Sequence, residues 1–342
     1  MTSPSPTTSI DRRSRPAGDG ISTGNGAVWR YVVRRSMLIG VSLVLLSVGV
    51  FFLMRYAIGG DPVALMLGRE ASQEVIAARR AALGLDRPVP VQYASWLGRL
   101  LRGDLGRSFE YPLPVIELLL ARAVPTIELT LLATAWAVLI AVPAGMWAAL
   151  RHRSKVDLAL SVGTVCGISL PSFFLAILLI AFFALELKWF PTSGYVAPWE
   201  RPGENLRLMA LPTVALGTWY ASSLMRYVRS AVLDQLRQPY IAVARSKGLG
   251  PMRIVWVHIM RNVLIPLITM VGMNVPFMLG GAVTVETVFA VPGVGRTLLG
   301  AILARDYPVV QGTMLFLAMA TLVTSLLVDV LYAAIDPRVS YE

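Results

Sequence analysis

Six uncharged runs restrict this chain to a membrane-spanning fold. Each run is between 18 and 28 residues long and contains no Asp, Glu, Lys or Arg. A helix rises 1.5 Å per residue, so about 20 apolar residues cross a hydrocarbon core of about 30 Å. The mean hydropathy of the chain, +0.64, is also far above that of soluble domains. We therefore predict an all-α membrane protein with six transmembrane helices, at Ser36–Met54, Leu129–Leu150, Leu158–Leu185, Leu208–Met225, Val263–Val285 and Tyr307–Val328.

The positive charges between the runs predict the orientation, because Lys and Arg are more frequent in cytoplasmic loops. With a cytoplasmic N-terminus, 17 Lys and Arg lie inside, in segments 1–35, 151–157, 226–262 and 329–342. The two short outer loops carry only 5, and the 9 in segment 55–128 count little because long stretches cross regardless of charge. We expect a multi-pass protein of the cell (inner) membrane with both termini in the cytoplasm.

The remaining composition excludes several classes of protein. The net charge of +11 indicates lipid headgroups and a cytoplasmic partner, because no basic patch is interleaved with aromatic residues as nucleic-acid binding requires. Cys166 is the single cysteine and is expected in mid-membrane as a small apolar residue. His152 and His258 lie far apart in sequence, so no metal-ligand spacing exists.

The same pattern divides the chain into regions. Residues 1–28 are rich in Ser, Thr, Pro and Gly and are expected to be a disordered cytoplasmic tail. The first transmembrane helix follows at 29–58, then an extracytoplasmic helical segment at 59–128, then a core at 129–335. The core is expected to hold spans at about 129–150, 158–185, 208–230, 263–285 and 307–330 and a basic loop at 238–262.

The extracytoplasmic segment is predicted to be helical in three places. Ser72 can cap a helix that Gly84 ends, and Pro90 opens a second that Gly103 ends. A third, over 115–123, is expected to lie along the membrane until Pro125 turns the chain inward. The second helix carries an apolar stripe that needs a cover, which the rest of the protein, the membrane or a partner could supply: Tyr93, Trp96, Leu97, Leu100 and Leu101.

Prolines within the spans predict breaks or kinks, because proline removes a backbone hydrogen bond. Kinked helices around a pathway and ordinary bundle packing are both compatible with that pattern. The residues concerned are Pro143, Pro171, Pro212, Pro266 and Pro276.

The basic loop between the fourth and fifth spans is predicted to form two short helices. Pro239 favours a helix start at Tyr240, Gly248 suits the left-handed position that ends it, and Pro251 restarts the chain. Small residues at 242, 244 and 246 are expected to leave one face of this helix without bulky side chains, so that a partner surface could approach closely.

Charged residues near the ends of the fifth and sixth spans are predicted to share one external rim. Glu286 is the first charge after the fifth run, and Arg305 and Asp306 precede the sixth. A carboxylate there could attract the amino terminus of a peptide, or it could pair with a neighbouring Arg, which is the commoner arrangement. The Gly293-x-Gly295 pair follows no strand and lacks a third glycine, so it does not indicate nucleotide binding.

The absence of several sequence motifs excludes further classes of membrane protein. The chain has no Gly-Lys dipeptide and hence no Walker A loop, so it is not expected to hydrolyse ATP. It also lacks a His-Glu-x-x-His zinc motif. A proton- or ion-coupled transporter would usually carry ionisable residues within its spans, and these runs have none. A passive channel remains open as the alternative of a different class.

Several motifs in order resemble the ABC-importer permeases of the dipeptide, oligopeptide and nickel branch, over about residues 30–339. The loop at 240–266 is similar to their EAA loop, with Ala242-Val243-Ala244 in place of Glu-Ala-Ala. The segment after the first span resembles that of the B-type permease subunit. The other matching stretches are Gly60-Asp61-Pro62, Leu83-Gly84-Leu85-Asp86, Gln92-Tyr93-x-x-Trp96-Leu97, Gly103-Asp104-Leu105-Gly106-x-Ser108, Glu286-Thr287-Val288-Phe289, Pro292-Gly293-x-Gly295-Arg296 and Arg305-Asp306-Tyr307-Pro308.

The resemblance implies a type I ABC importer fold and a set of partners. These are a homologous second permease, two cytoplasmic ATPase subunits or domains and an extracytoplasmic substrate-binding protein. It implies no cofactor on this chain, with ATP and magnesium on the partner subunits. Coupling to the ATPase would involve Tyr240, Ala244, Arg245, Ser246, Lys247, Gly248 and Leu249. The external mouth or gate would involve Glu286, Pro292, Gly293, Gly295, Arg296, Arg305 and Asp306. Peptides are the expected cargo, with nickel or glutathione as the alternative.

Overall fold

The computed structural model describes residues 25–56, 72–82 and 84–335, and the regular structure in these ranges is helical. A single bridge between Arg107 and Pro114 is their one β-type pairing. The helices are α1 (Asn25–Tyr56), α2 (Gln73–Ala82), α3 (Val89–Leu100), α4 (Val115–Leu150), α5 (Lys155–Ser169), α6 (Ser172–Leu179), α7 (Pro202–Leu236), α8 (Pro239–Ser246), α9 (Met260–Val288), α10 (Val294–Ala304) and α11 (Tyr307–Ile335). A π-helix at Ile180–Glu186 continues α6, and Pro251–Arg253 with a π-helix at Ile254–Ile259 leads into α9.

The described helices include four that are long and apolar enough to cross a membrane, in α1, α4, α9 and α11. A fifth is present if the bent pair of α5 and α6, with its π-helix, counts as one span. The fourth predicted run lies in α7, which is long enough but more polar. Since α7 is largely enclosed by other helices, it does not need a wholly apolar surface. The all-α membrane class is confirmed, whereas the count of six spans is only partly matched.

The third predicted span is not one straight helix. It breaks at Leu170 and Pro171, and the axes of the two parts differ by 104°. Leu170 is extended, with φ −83° and ψ 119°, as expected for a residue that precedes proline. Cys166 lies on α5 before this break and is exposed.

The other prolines do not end their helices, which corrects the expectation for Pro125. The helix α4 runs unbroken from Val115 through Pro125 and Pro143, so no separate membrane-parallel helix exists over 115–123. Pro212 lies within α7, and Pro266 and Pro276 lie within α9. Pro125 and Pro212 are buried, so packing against neighbouring helices offsets the one lost hydrogen bond at each.

The centre of the bundle is the contact between α4 and α7. One face of α4 carries small residues at every fourth position, all almost fully buried: Ala133, Ala137, Ala141, Gly145 and Ala149. A methyl group added at Gly145 would lie 2.8 Å from the Met225 carbonyl oxygen. Likewise, one added at Gly217 would lie 2.8 Å from the Ala133 carbonyl oxygen. The two backbones therefore touch, as small residues four apart allow in membranes.

The short helices between α1 and α4 include one that packs against α1. Tyr93 and Trp96 of α3 surround Phe51, with ring centroids 5.4 and 5.7 Å from it. The Tyr93 hydroxyl is hydrogen-bonded to Ser47, at 2.8 Å. The apolar stripe of α3 is thus covered in part by the chain itself. The helices α2 and α3 lie where sequence placed them, while the Gly60-Asp61-Pro62 motif lies outside the described residues.

The two terminal helices meet at one end of the bundle. Arg35 of α1 lies 3.0 Å from the carboxylate of Asp329 on α11, and both side chains are partly exposed. This pair puts the start of α1 and the end of α11 on the same side. The helix α1 begins at Asn25, inside the region predicted as a disordered tail; residues 1–24 of that tail lie outside the described part.

We predict that Gly145→Ala destabilises the protein by about 1–3 kcal/mol, because the added methyl must push the α7 backbone away. Thermal unfolding of the purified protein in detergent measures the loss. The matched control is Gly163→Ala on α5, where the methyl group would meet no atom within 4 Å. Equal stability of the two variants would show that α4 and α7 are not in close contact.

Candidate functional site

The predicted coupling segment is a short helix held between two longer ones. The helix α8 begins at Pro239 directly after α7 and ends at Ser246. Gly248 has φ +75°, the left-handed conformation that ends a helix, and its N–H donates to the Arg245 carbonyl at 2.9 Å. The chain turns here and continues at Pro251 towards α9. The helix start, the stop and the restart are therefore as the sequence predicted.

The predicted coupling residues divide between two faces of α8. Tyr240, Arg245, Ser246, Lys247 and Gly248 are exposed at the end of the bundle where α7 and α9 meet. The other two, Ala244 and Leu249, turn inward: Ala244 is buried and Leu249 packs against the core.

The expectation that residues 242, 244 and 246 form a single face of small residues is therefore wrong. With 3.6 residues per turn, residues four apart share a face and residues two apart do not. Ala242 and Ser246 are exposed together on one side of α8, while Ala244 lies on the buried side with Ile241.

Three polar side chains connect α8 to its neighbours. The Tyr240 hydroxyl donates to the Gln235 carboxamide oxygen at 2.6 Å. The Asn262 side-chain N–H group lies 3.0 Å from the Tyr240 hydroxyl and 3.3 Å from that same Gln235 oxygen. Gln235 lies in the last turn of α7 and Asn262 in the first turn of α9, so this polar cluster joins three helices. Tyr240 and Asn262 were identified from their motifs, but the role of Gln235 has no signal in the sequence.

At the opposite end of α9, Glu286 is fully buried. Its carboxylate accepts a hydrogen bond from the Thr126 hydroxyl at 2.6 Å and from the Arg296 backbone N–H at 3.0 Å. The same Thr126 oxygen accepts from the Val294 N–H at 2.8 Å. Glu286 and Thr126 thus fix the first turn of α10 to α4 and α9.

Two glycines of the Pro-Gly-x-Gly motif make room for this carboxylate. A side chain at Gly293 would overlap the Glu286 carboxyl group, and one at Gly295 would lie 2.6 Å from the Val283 Cα. Pro292, half-buried, precedes them. These glycines are needed for close approach rather than for backbone conformation, since φ at Gly293 is −91°.

The other end of α10 is held by a second buried carboxylate. Asp306 accepts hydrogen bonds from Ser108 and from the backbone N–H groups of Phe109 and Glu110. Its other oxygen accepts from the Val309 N–H at 3.3 Å, which caps α11. Asp306 therefore ties the Gly-Asp-Leu-Gly-x-Ser stretch to the start of α11.

The arginine pairing predicted for the rim carboxylates is not found among the described contacts. Glu286 and Asp306 flank α10, yet their described partners are hydroxyl and backbone N–H groups and not an arginine side chain. The Arg296 guanidinium donates instead to the Ala290 carbonyl at 2.7 Å. Arg305 is exposed and ends α10 with φ +56°. Of the predicted mouth residues, only the arginines offer an exposed charge here.

A nearby tyrosine completes this end of the bundle. Tyr195, in the loop between the π-helix and α7, donates to Glu128 of α4 at 2.8 Å. Burial and that neighbouring carboxylate raise the pKa of the Tyr195 hydroxyl, so it stays protonated and remains the donor. The Gly194 N–H donates to the Phe289 carbonyl at 3.1 Å, which joins the loop to the end of α9.

An ion pair not expected from sequence lies near the start of α5. Arg229 of α7 binds both carboxylate oxygens of Asp157, at 2.6 and 2.8 Å. Asp157 is buried and also accepts from the Arg153 N–H, while Ser154 caps the helix. The Ser-x-x-Asp spacing at 154–157 was the available signal, since it is typical of a helix start.

Comparisons with known proteins agree with this architecture. The model of the family described as "Binding-protein-dependent transport system inner membrane component" matches residues 141–341, and that of its N-terminal region matches residues 28–130. A peptide transport system permease protein of Brucella suis biovar 1 is 42% identical over 85% of this chain and 93% of its own length. A peptide ABC transporter permease protein of Sinorhizobium fredii is 38% identical over 91% of this chain and 99% of its own.

Two further comparisons concern cargo and fold. A glutathione transport system permease protein of Salmonella choleraesuis is 39% identical over 91% of this chain and 99% of its own length. Among solved structures, an inward-facing form of the MetNI methionine ABC transporter superposes with a TM-score of 0.54 at 18% identity. That superposition covers 65% of this chain and 97% of the MetNI chain.

We predict that Glu286→Gln lowers stability and reduces transport equally for cargo of any charge. The glutamine amide can place a donor against the Arg296 N–H donor, at a cost of about 1–3 kcal/mol in a buried site. Thermal unfolding of the complex and uptake of cationic, neutral and anionic cargo are the measurements. The control is Glu204→Gln, which alters an exposed ion pair with Arg201. A loss that depends on cargo charge, at normal stability, would instead assign Glu286 to the gate.

Proposed function

Because the chain belongs to the family of binding-protein-dependent transport system inner membrane components, the permeases of ABC importers, we propose that it forms half of a translocation pathway for peptides. The observation that carries the cargo assignment is the match to peptide permeases from Brucella and Sinorhizobium over nearly their whole length. This protein is not the enzyme of the system, since ATP hydrolysis occurs on separate subunits.

We propose that the α8 end of the bundle faces the cytoplasm and the α10 end faces outward, with both termini inside. The excess of Lys and Arg in the segments at the α8 end supports this orientation. The segment at 59–128 and the α10 region would then receive a substrate-binding protein. A homologous second permease would complete the pathway within the lipid membrane, and two ATPase subunits, which carry ATP and magnesium, would bind below. No nucleic acid is involved in this assembly.

The exposed residues of α8 are the proposed contact with the ATPase. Tyr240, Arg245, Ser246, Lys247 and Gly248 are part of the accessible surface here, while Ala244 and Leu249 hold the helix to the core. When ATP closes the two ATPases, α8 would move as a rigid lever and open the pathway outward. ATP hydrolysis would then reset it.

The nature of the cargo is the open part of the proposal. Glutathione is the second candidate, favoured by the 39% identity to a glutathione permease. Nickel stays as a third, from the branch that the motifs resemble. Selectivity in such systems would reside largely in the binding protein, so the permease sequence alone separates these cargoes poorly.

Reconstitution tests the proposed function directly. The complete complex in proteoliposomes, supplied with its binding protein and ATP, should take up labelled di- or oligopeptides. Uptake should cease without ATP or without the binding protein. Preferred uptake of glutathione or Ni²⁺ would replace the peptide assignment. Solute flux through this chain alone, without ATPase subunits, would favour a passive channel instead.

We predict that Gly248→Val abolishes the stimulation of ATP hydrolysis by the binding protein while the complex remains assembled. A residue with a side chain at φ +75° costs about 1 kcal/mol or more, and it would misdirect the chain after α8. No atom lies within 4 Å of the added Cβ, so the effect is conformational and not steric.

Gly250→Val is the matched control for this prediction. Gly250 has equally open surroundings but no positive φ. It should keep most of the stimulation, so the difference between the two variants isolates the backbone effect. Normal stimulation in an intact Gly248→Val complex would remove the coupling role from this segment.

A further inference from the structure

One face of α9 is accessible along its whole length and has an unusual composition. Proceeding along the helix by three or four residues, it carries Pro266, Thr269, Met273, Phe277, Gly280, Thr284 and Thr287. The opposite side of the same helix exposes Leu264 and Ile268. Threonine, glycine and proline on one side and branched aliphatic residues on the other indicate that the two sides of α9 meet different surroundings.

The exposed faces of other helices provide the comparison. The exposed residues of α11 are apolar, Met319, Val323 and Leu327, and α1 exposes Met37, Val41 and Leu45 along one side. Such faces are typical of contact with lipid chains. The polar groups on the α9 face are not needed against lipid, but they suit a surface that meets water or a peptide.

A cavity of about 450 Å³ opens on the middle of this α9 face. It lies against α7, and its wall contains no charged side chain: Tyr227, Pro266, Thr269, Met270, Met273, Asn274 and Phe277. Met273 and Phe277 are 63% and 72% exposed. The volume is within the range of small-molecule sites, which are mostly apolar with a few placed polar groups.

The chemistry of the wall defines what the cavity can hold. Flexible methionine side chains adapt to apolar groups of different shape, and Phe277 adds an aromatic surface. The Asn274 side-chain N–H group donates to the Met270 carbonyl at 2.8 Å, which leaves its oxygen to accept from a visiting N–H group. An apolar side chain next to an amide N–H matches both features, whereas an isolated charge would find no partner on the wall.

We propose that the α9 face lines the translocation pathway and that this cavity is a transit site for an uncharged, apolar side chain of the cargo peptide. The inference rests on the proposed import of peptides. The main alternative occupant is the homologous permease subunit. A helix of that subunit would pack closely where the face is small, near Gly280 and Thr284. At Met273 and Phe277 the face is bulky, which opposes such close packing, so we assign the cavity to cargo.

Thiol accessibility tests whether the face meets water, independently of cargo. Met273→Cys and Phe277→Cys are made in a Cys166→Ala background, because Cys166 is itself exposed. In the complete complex in proteoliposomes, a membrane-impermeant maleimide should label both positions, at a rate that changes when ATP and the binding protein are added. Met319→Cys, on the apolar face of α11, should remain unlabelled. Protection of both α9 positions in every state would place them against lipid or the second subunit and overturn the proposal.

Uptake of two peptides tests the choice of occupant. The two peptides have equal net charge and length and differ at one position, which is leucine in one and glycine in the other. The affinity of the binding protein for each peptide is measured separately. Met273→Ala combined with Phe277→Ala should lower uptake of the leucine peptide severalfold relative to the glycine peptide. The single variant Phe277→Leu, which retains apolar bulk, should keep the wild-type ratio of leucine-peptide to glycine-peptide uptake. An unchanged ratio in the double variant would overturn the transit site.

The two experiments separate this inference from the proposed function. If the wild-type complex takes up no peptide, the cargo assignment fails and the transit site fails with it, while the labelling result still decides whether α9 lines the pathway. If peptides are taken up and the leucine-to-glycine ratio does not change, the import function stands and the transit site does not.

Discussion

The close contact of α4 and α7 is the interaction on which the rest of the bundle depends. Lipid chains are as apolar as leucine, so helices in a membrane gain little from hiding apolar surface and rely on close packing instead. The small-residue face of α4, from Ala133 to Ala149, supplies that packing. Because α7 is enclosed by this contact, it can carry Ser and Thr within its uncharged run, and it can present Tyr227 to the cavity beside α9.

Two buried carboxylates explain why the motifs at the α10 end have their particular residues. Glu286 requires the hydroxyl of Thr126 and the space left by Gly293, and Asp306 requires Ser108 and the backbone that follows it. Each carboxyl group is satisfied by hydroxyl and N–H groups, which is the usual condition for burying a polar group. The helix α10 is therefore clamped at both ends, and a gating motion in this region would move it together with its clamps.

Sequence reasoning succeeded where one local rule decides the outcome. Uncharged length predicted the helices, and the glycine and proline positions predicted the start, stop and restart around α8. It failed where neighbours decide: Pro125 and Pro143 leave α4 unbroken, whereas Pro171 breaks its helix. Charge proximity along the chain suggested an arginine for Glu286, but its actual partner, Thr126, is 160 residues away. Such long-range pairings are not visible in one sequence.

The polar cluster of Gln235, Tyr240 and Asn262 suggests how the two ends of the bundle communicate. It joins α8 both to the last turn of α7 and to the first turn of α9. The same two helices form the cavity, through Tyr227 and Met273. Met273 is 11 residues beyond Asn262, or about 16 Å along a helix. If α8 moves as proposed, both walls of the cavity would move with it, since each wall belongs to a continuous helix whose first or last turn lies in the cluster.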